Sequence, residues 1–519
     1  MNNKALIIGS HPICESIKAQ YEVLGYKIEM ADTLTAAPKD SYHELCILPQ
    51  NGIEDNDTLQ ALEKFAKVYP STPEGQSKPV CHLLLHDKMT LWLLQTIDLY
   101  MEIQHKFELY AFTMEDQWAK TLFCSLDKDP VYPPLDREKI DYNSNKTVHL
   151  VIAGFDDLGE SLALHAALTA HYPNYVRNQS LRTRITIIDN DLTAKRDAFV
   201  QRYVNLFDHS YYRAIDLKHR EMTLFHKPFY NSSRENFIDV EWEFVDGEFF
   251  DPVLQNKLRL WSDSPEQLLT IALCDVDHEK NFSRAFTLPK TVYQNGIPVL
   301  INVKQSGLLE KVHEKQSYHN LFPIGMDDCG YNVRLPLLQM AKRLNYFYAY
   351  SFGKKGTPTD MPVEEIEKEW HKVDRFSQRY SNINNVITIA TKMRSLGHEE
   401  KDWDTFFALT QEEIEILSAV EHNRWSVERL IMGFRPPTDS EREEIRQNIE
   451  AFIAAKKAGS EPPKQDLKDY YKKDQKVHND LCAYRELGED KTGQNVRVYD
   501  YELTACIPLI AQSFKEAML

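Results

Sequence analysis

Long hydrophobic runs are missing from this sequence of 519 residues. No apolar run approaches the roughly 20 residues that a helix needs to span a bilayer. The opening stretch, MNNKALIIGS, has one lysine and a short apolar segment, which predicts a first β-strand and not a signal peptide. We therefore expect a cytoplasmic protein that inserts no segment of its own into a membrane.

Paired cysteines and an excess of positive charge are also missing. The eight cysteines are scattered and include no CxxC pair, which fits reduced thiols better than a disulfide framework or a zinc site. Acidic residues outnumber basic ones by 78 to 61, which gives a formal net charge of -17. A nucleic-acid binder needs a cationic surface that displaces counterions, so we expect no nucleic-acid partner.

The common catalytic signatures are absent as well. The sequence contains no P-loop, no GxSxG, no HExxH and no zinc-ligand set. Asp275, Asp277 and Glu279 are close enough in sequence to share a hard cation, but they lack the spacing of a calcium loop. We predict no metal site, and we interpret the chain as a regulatory protein in preference to an enzyme.

Strands alternate with helices over residues 1–126, in the pattern that predicts a parallel sheet. The first turn contains Gly9 but otherwise departs from the GxGxxG pattern of dinucleotide-binding turns. We interpret this region as a degenerate Rossmann-like domain that serves packing or dimerisation. Residues 127–146 are rich in proline, aspartate and asparagine, and they predict a linker.

A second α/β pattern occupies residues 147–330. Gly154 and Gly159 follow its first strand at the spacing of the first and third glycines of a dinucleotide-binding turn, but Asp156 stands at the middle position. A carboxylate there would repel a diphosphate. Asp189 ends the second strand, where an acidic residue would bind the ribose hydroxyls. The region predicts a dinucleotide-binding fold with a weakened phosphate site.

Two further turns extend this pattern. Asp246-Gly247 follows the third strand, and Asp275, Asp277 and Asn281 lie in an acidic turn after the fourth strand. With these residues the region resembles the RCK, or TrkA N-terminal, nucleotide-binding domain. The resemblance implies regulation of potassium transport through a separately encoded membrane channel. It also implies that NAD(H) or an adenine nucleotide binds without turnover at residues of these turns: Gly154, Gly159, Asp189, Asp246, Asp275, Asp277 and Asn281.

Helical patterns dominate the rest of the chain, first in a connector over residues 331–400 and then in a domain over residues 401–519. A charged insert over residues 438–475 predicts an exposed helix at Asp439–Ala458. The predicted fold class is therefore α/β, with two Rossmann-like, RCK-like parallel-sheet domains followed by a mainly α-helical domain.

The stretch EHNRWSVERLIMGF, residues 421–434, concentrates chemistry-bearing side chains on one predicted helix. Glu421, Trp425 and Arg429 stand at positions i, i+4 and i+8, which places them on one helix face, and His422 lies beside that face. A tryptophan beside an acid, a histidine and an arginine indicates a polar pocket with an aromatic wall. The alternative is that Trp425 belongs to the core and that the charges are solvated or paired.

This stretch, together with KVHNDLCAYREL at 476–487 and YDYELTACIPLI at 499–510, resembles the RyR domain, the repeat of ryanodine receptors that also occurs in bacterial and phage proteins. The resemblance implies a sensor of a nucleotide-type ligand and attaches no catalytic role to the domain. The residues implied in ligand binding lie in these three stretches: Glu421, His422, Trp425, Arg429, His478, Tyr484, Tyr499 and Asp500.

These patterns favour a cytoplasmic ligand-sensing protein that binds a small nucleotide-type ligand and forms a homodimer through its Rossmann-like domains. One alternative is an NAD(P)-dependent oxidoreductase or a nucleotide hydrolase, with Asp189 on the ribose and Asp277 or His278 at the chemistry. Another is a structural assembly protein in which both nucleotide folds are empty.

Overall fold

The fold was analysed in a computed structural model. It describes residues 3–34, 41–50, 52–72, 77–97, 100–124, 132–225, 237–305, 307–313, 315, 318–328, 330–351, 361–373, 376–398, 408–460, 476–489 and 494–512. Two sheets and a set of helices make up these residues, so the predicted α/β class is confirmed.

The first sheet is parallel and has the strand order β2-β1-β3-β4-β5. Its strands are β1 (Lys4–Gly9), β2 (Lys27–Ala31), β3 (Glu44–Leu48), β4 (Val80–Leu84) and β5 (Glu108–Phe112). Its helices are α1 (Ile13–Val23), α2 (Asp55–Val68), α3 (Lys88–Thr96), α4 (Met101–Lys106) and α5 (Met114–Cys124). The inner strands are mainly apolar, apart from residues such as His82 in β4, because both faces of the sheet pack into apolar cores.

The second sheet has the order β13-β12-β11-β6-β7-β10-β8-β9 and is parallel except for the pair β8 and β9. Its strands are β6 (Thr147–Ala153), β7 (Thr183–Asp189), β8 (Tyr211–Asp216), β9 (Glu221–Phe225), β10 (Val240–Asp246), β11 (Gln267–Leu273), β12 (Val299–Asn302) and β13 (Leu321–Ile324). Its helices are α6 (Asp157–Thr169), α7 (Pro173–Arg177), α8 (Leu192–Arg202), α9 (Val204–Phe207), α10 (Pro252–Asp263), α11 (His278–Phe286), α12 (Lys290–Gln294) and α13 (Gly307–His313).

The remaining helices are α14 (Pro336–Tyr350), α15 (Val363–His371), α16 (Phe376–Ile387), α17 (Ile389–Ser395), α18 (Gln411–Ile431), α19 (Asp439–Lys457), α20 (Arg497–Ala505) and α21 (Ile507–Gln512). The capping box predicted at the start of α18 is present, since Thr410 accepts from the Glu413 amide and the Glu413 side chain accepts from the Thr410 amide. The helix predicted in the charged insert is α19. Among the described helices, none has the length and apolar composition needed to cross a membrane.

Helix α18 packs against both α/β units. Leu417 and Val420, near its start, lie in the core on one face of the first sheet. Val427, Leu430 and Ile431, near its end, lie in the core on one face of the second sheet. The middle of α18, which carries the charged residues of the 421–434 stretch, therefore lies between two apolar cores.

Part of the predicted linker is packed into the protein. Leu135 and Ile140 are buried in the core of the second unit, and Asp136 accepts two hydrogen bonds from the Arg394 guanidinium, at 2.7 and 3.0 Å. Residues 127–131 lie outside the described part of the chain. The segment 132–146 therefore packs against the second sheet unit and is hydrogen-bonded to the helical connector. It is not a solvent-exposed linker.

Candidate functional site

Glu421 lies at the centre of a buried network of charges. Its carboxylate accepts hydrogen bonds from Lys392 at 2.5 Å, from Asn385 at 2.7 Å and from the Arg424 guanidinium at 2.9 to 3.1 Å. Arg424 also donates to Glu428 at 2.5 Å. The network thus contains two negative charges, on Glu421 and Glu428, and two positive charges, on Lys392 and Arg424. Each of these four residues is at most 2 % exposed. This arrangement shows a structural role for Glu421, whose charge is fully engaged by its partners.

The pKa of Glu421 follows from this balance. Burial alone would raise it, but the charges and hydrogen bonds of Arg424 and Lys392 outweigh burial and lower the pKa to about 2. The carboxylate therefore stays ionised near neutral pH. Because a buried carboxylate without its partners is costly, the network fixes α16, α17 and α18 relative to one another.

A cavity of about 510 Å³ lies beside α18 and is called the α18 cavity below. Helices α14, α16, α18 and α20 and residues 478–487 supply its walls. The structure places six of the predicted ligand-binding residues in its lining: His422, Trp425, Arg429, His478, Tyr499 and Asp500. Glu421 lies behind the wall, and Tyr484 contacts His422 with ring centroids 5.8 Å apart. The three sequence stretches that predicted the site therefore do meet in space.

Stacked rings form one wall of the α18 cavity. The His422 and Trp425 rings are nearly parallel, with centroids 5.7 Å apart and planes at 28°. His478 meets Trp425 edge-on at 4.8 Å, and Phe434 lies 6.4 Å from His478. Trp425 is partly buried, because it packs against the core of the second unit and also lines the cavity. Trp425 and His478, which both line the cavity, give a planar ring of a ligand aromatic surface to pack against.

Arg429 supplies the cationic group of the cavity. Its guanidinium lies 5.7 Å from the Trp425 ring centroid and 5.6 Å from that of Phe434, and it donates to Ser381 at 3.1 Å. The nearest carboxylate oxygen belongs to Glu428, at 3.8 Å, and Nε of Arg429 is buried with no hydrogen-bond partner in the described part of the protein. Burial lowers the pKa of Arg429. Unlike Arg424, this guanidinium donates to no carboxylate within 3.5 Å among the described residues, and its terminal nitrogens contact only Met432 and Ser381, so they have donor capacity left for an anionic group.

His422 and Asp500 form a hydrogen-bonded pair in the same wall. Nε2 of His422 lies 2.8 Å from the carbonyl oxygen of Cys482, which can only accept, so Nε2 carries a proton. Nδ1 lies 3.2 Å from the Asp500 carboxylate. Both ring nitrogens are therefore engaged within the protein. An imidazole with both nitrogens committed is poorly placed to act as a general base toward a substrate.

Several polar residues of the cavity were missed by sequence reasoning. They come from α14, α16 and the loop before α20, and include Asn345, Tyr348, Gln378, Ser381, Asn382, Asn385 and Asp480. One signal was present, since residues 378, 381, 382 and 385 follow helical spacing and give α16 a polar face. Which residues this polar face contacts depends on how α16 packs against α18. The spacing of residues within α16 does not reveal that packing.

The predicted nucleotide residues of the second unit gather where β6, β7, β10 and β11 end. Gly154 has a φ of +99°, and a Cβ there would lie 2.5 Å from the Asp275 backbone nitrogen. A Cβ at Gly159 would lie 2.3 Å from the Gly154 carbonyl oxygen. Both glycines are therefore required by the close approach of the turn to its neighbours. This packing requirement explains the two glycines whether or not a nucleotide binds at the turn.

Asp189 is engaged by protein groups in this structure. Its carboxylate accepts from the Phe155 amide at 2.9 Å and from Lys195 at 2.7 Å. The same lysine lies 3.0 Å from Asp156, the carboxylate at the middle glycine position. Lys195 thus neutralises part of the negative charge that the sequence predicted at the start of α6. Its side chain is 40 % exposed, so it has room to turn toward a ligand.

The other predicted residues of this group hold turns together. Asp246 accepts from the amide and hydroxyl of Thr193, at 3.0 and 2.8 Å. Asp277 caps α11, and the Asn281 amide group bonds the Asp275 backbone at 2.7 and 3.0 Å. Asn281 is fully buried. These contacts give each side chain a structural role, and contact with a nucleotide stays a prediction for them.

The chain matches no protein-family model and no curated protein sequence.

Proposed function

We propose that this chain is a regulatory protein that recognises a nucleotide-type ligand in the α18 cavity without turning it over. The observation that carries the proposal is the position of the Arg429 guanidinium beside the Trp425 and Phe434 rings, with Nε buried and lacking a partner in the described residues. A base would stack on the aromatic wall, and a phosphate would accept hydrogen bonds from Arg429. In this proposal the helical domain acts as a module of the RyR type.

Two features support binding in preference to catalysis. His422 has both ring nitrogens engaged, by Cys482 and Asp500, which leaves it no nitrogen to accept a substrate proton. Asp277, proposed for chemistry in the enzyme alternative, accepts from the first amides of α11. His278 lies 3.2 Å from the Asn302 carbonyl oxygen. His422, Asp277 and His278 thus each make hydrogen bonds within the fold.

A second candidate site lies at the carboxyl ends of the second sheet. If the hairpin of β8 and β9 is left out of the count, the order from β13 to β10 is 6-5-4-1-2-3, which is similar to the Rossmann order, and dinucleotides bind where that order reverses, between β6 and β11. We propose NAD(H) or an adenine nucleotide as the ligand there. Lys195 supports this, because it offsets the Asp156 carboxylate. The homodimer, the separately encoded channel and the cytoplasmic location stay predictions.

Thermal unfolding of the purified chain tests both sites. The panel contains NAD, NADH, ATP, ADP, AMP and cyclic dinucleotides, because a ligand that binds only the folded state raises the Tm. At a concentration of about 100 times Kd, the expected stabilisation is about 2.7 kcal/mol. Loss of the shift in Arg429→Met would assign the ligand to the α18 cavity, and loss in Asp189→Asn would assign it to the second sheet. No shift with any nucleotide would refute the proposal.

A further inference from the structure

The strand β9 forms an open edge of the second sheet. It is the last strand in the order of that sheet, and β8 is its only hydrogen-bonded neighbour among the described strands. A strand at an edge presents a row of backbone N–H and C=O groups that have no partner within the sheet. Nothing in the proposed function uses this edge, and none of its residues lines the α18 cavity.

The other three sheet edges carry features that oppose pairing with a further strand. At the opposite edge of the second sheet, β13 contains Pro323, which has no backbone N–H to donate. At one edge of the first sheet, β5 is buried along its whole length, and Tyr380 of α16 donates to its Ala111 carbonyl at 2.6 Å. At the other edge, β2 carries the charged residues Lys27 and Glu29 at exposed positions. Proline, a covered edge and exposed charges are the usual protections of edge strands.

The strand β9 lacks most of this protection. Its sequence, EMTLF at residues 221–225, contains neither proline nor lysine, and Glu221 at its start is its only charged residue. The side chains of Met222 and Leu224 are apolar but 60 % and 51 % exposed. They project on the same face of the sheet, because side chains alternate along a strand. Exposed apolar side chains beside an unpaired edge are typical of a strand that pairs with another chain.

The sequence of β9 complements itself when two copies of the strand run antiparallel. If Thr223 of one copy lies opposite Thr223 of the other, every residue of the strand faces a residue of the second copy. Met222 of each copy then lies opposite Leu224 of the other, which gathers apolar side chains on one face of the joined sheet. Glu221 lies opposite Phe225, so the two carboxylates stay at opposite ends of the paired strands. The register therefore matches apolar side chains and opposes no like charges.

We propose that two copies of this chain associate through antiparallel pairing of their β9 strands, which joins their eight-stranded sheets into one continuous sheet. A two-fold axis at Thr223 relates the copies, so the same surface serves both sides of the interface. Main-chain hydrogen bonds along the outer edge hold the two strands together, and Met222 and Leu224 of both copies cover one another. The proposal gives the predicted homodimer an interface and does not rest on nucleotide recognition.

Disulfide cross-linking of the full chain tests both the surface and the register. In the proposed dimer the Cα atoms of the two Thr223 residues lie about 4.5 to 5.5 Å apart, within the range that a disulfide spans. Thr223→Cys should therefore give a covalent dimer under mild oxidation. Glu221→Cys is the matched control, because the two residues at position 221 lie about 14 Å apart in the same dimer, beyond the reach of a disulfide. The proposal is overturned if Thr223→Cys gives no more covalent dimer than Glu221→Cys does.

Sedimentation velocity over a range of protein concentrations tests the interface without added cysteines. An interface centred on one strand pair is small, so the wild-type protein should dimerise when concentrated and dissociate on dilution. Leu224→Lys places a charge on the apolar face of the paired strands and should weaken dimerisation at least about tenfold. Leu308→Lys, at a similarly exposed apolar position on α13, is the matched control and should leave dimerisation unchanged. A protein that stays monomeric at every concentration, or a dimer that Leu224→Lys does not weaken, would refute the interface.

Discussion

Nδ1 of His422 lies 3.2 Å from the carboxylate of Asp500, a distance at which the two groups share one proton when the pair is protonated. Since Nε2 of His422 already donates to the Cys482 carbonyl, the shared proton makes the pair either imidazolium with carboxylate or imidazole with carboxylic acid. Both forms have the same total charge. While it holds this proton, the pair contributes no net charge to the α18 cavity, and Arg429 places a positive charge beside the Trp425 ring.

This pair predicts a dependence of stability on pH. Burial raises the pKa of Asp500. Burial alone would lower the pKa of His422, but the hydrogen bond and charge of Asp500 raise it above its ordinary value of 6.5. A raised folded-state pKa stabilises the fold below the unfolded pKa, and this contribution is lost as pH rises through the folded pKa. The free energy of unfolding should therefore fall as pH rises above about 6.5, by at most about 1.4 kcal/mol per pH unit for one proton.

Urea unfolding between about pH 6.5 and 8.5 measures this contribution. The double variant His422→Gln with Asp500→Asn keeps polar side chains of similar shape but removes both titrating groups. The wild-type protein should lose more stability over this range than the double variant does. Identical slopes would show that the pair holds no proton in this range.

A second prediction concerns the buried charges around Glu421. Glu421→Gln leaves Lys392 and Arg424 buried with too little negative charge, so the free energy of unfolding should fall by about 3 to 5 kcal/mol. Urea unfolding measures the loss. Glu443→Gln, at an exposed site on α19, is the matched control and should leave stability unchanged.

The charge balance gives this second prediction a stricter test. Replacing both Glu421 and Lys392 by leucine leaves Arg424 paired with Glu428 and removes one charge of each sign. The double variant should recover much of the stability lost in Glu421→Gln, because a buried pair can be replaced by apolar side chains at little cost. A double variant less stable than Glu421→Gln would contradict the account of a balanced network.

A third prediction concerns Asp156, which stands at the start of α6 beside Lys195. Asp156→Asn removes a charge that repels a diphosphate and releases Lys195 from one of its two partners. The affinity of the second-sheet site for NAD(H) or an adenine nucleotide should rise about tenfold. Titration by calorimetry measures it, with Asp197→Asn on α8 as the exposed control. An unchanged or weaker affinity would argue against a diphosphate at this turn.

Much of the fold could be predicted because the relevant signals are local. The capping box at Thr410, the apolar strands of both sheets and the charged helix α19 are all encoded within short segments. The antiparallel hairpin of β8 and β9 was not predicted. Charged residues such as Arg213 and Asp216 alternate with apolar ones in this hairpin. The hairpin lies at the edge of the sheet, where strands are less buried and therefore lack the continuous apolar run that marks a central parallel strand.

Part of the candidate site could also be predicted, because some of its residues are brought together by local helical spacing. Trp425 and Arg429 share a helix face, so their proximity follows from helical spacing. Whether Glu421 faces the cavity or a buried lysine depends on Lys392 of α17, which no local pattern reveals. The polar wall supplied by α16 likewise depends on packing between distant segments, as the contact of Ser381 with Arg429, 48 residues further along the chain, shows.

The central claim is that Arg429 binds the anionic group of a nucleotide-type ligand. Arg429→Met replaces a partly buried guanidinium, whose Nε lacks a partner among the described residues, by an apolar side chain of similar length. Removing a partly buried charge whose nearest carboxylate oxygen is 3.8 Å away should cost little stability, whereas loss of a charge-assisted contact should weaken binding at least about tenfold.

The most direct measurement is therefore calorimetric titration of the wild-type protein and Arg429→Met with whichever nucleotide raises the Tm, alongside urea unfolding of both. The account predicts tight binding by the wild-type protein, at least about tenfold weaker binding by the variant, and nearly equal unfolding midpoints. A variant that unfolds, or that binds the nucleotide as tightly as the wild-type protein does, would contradict it.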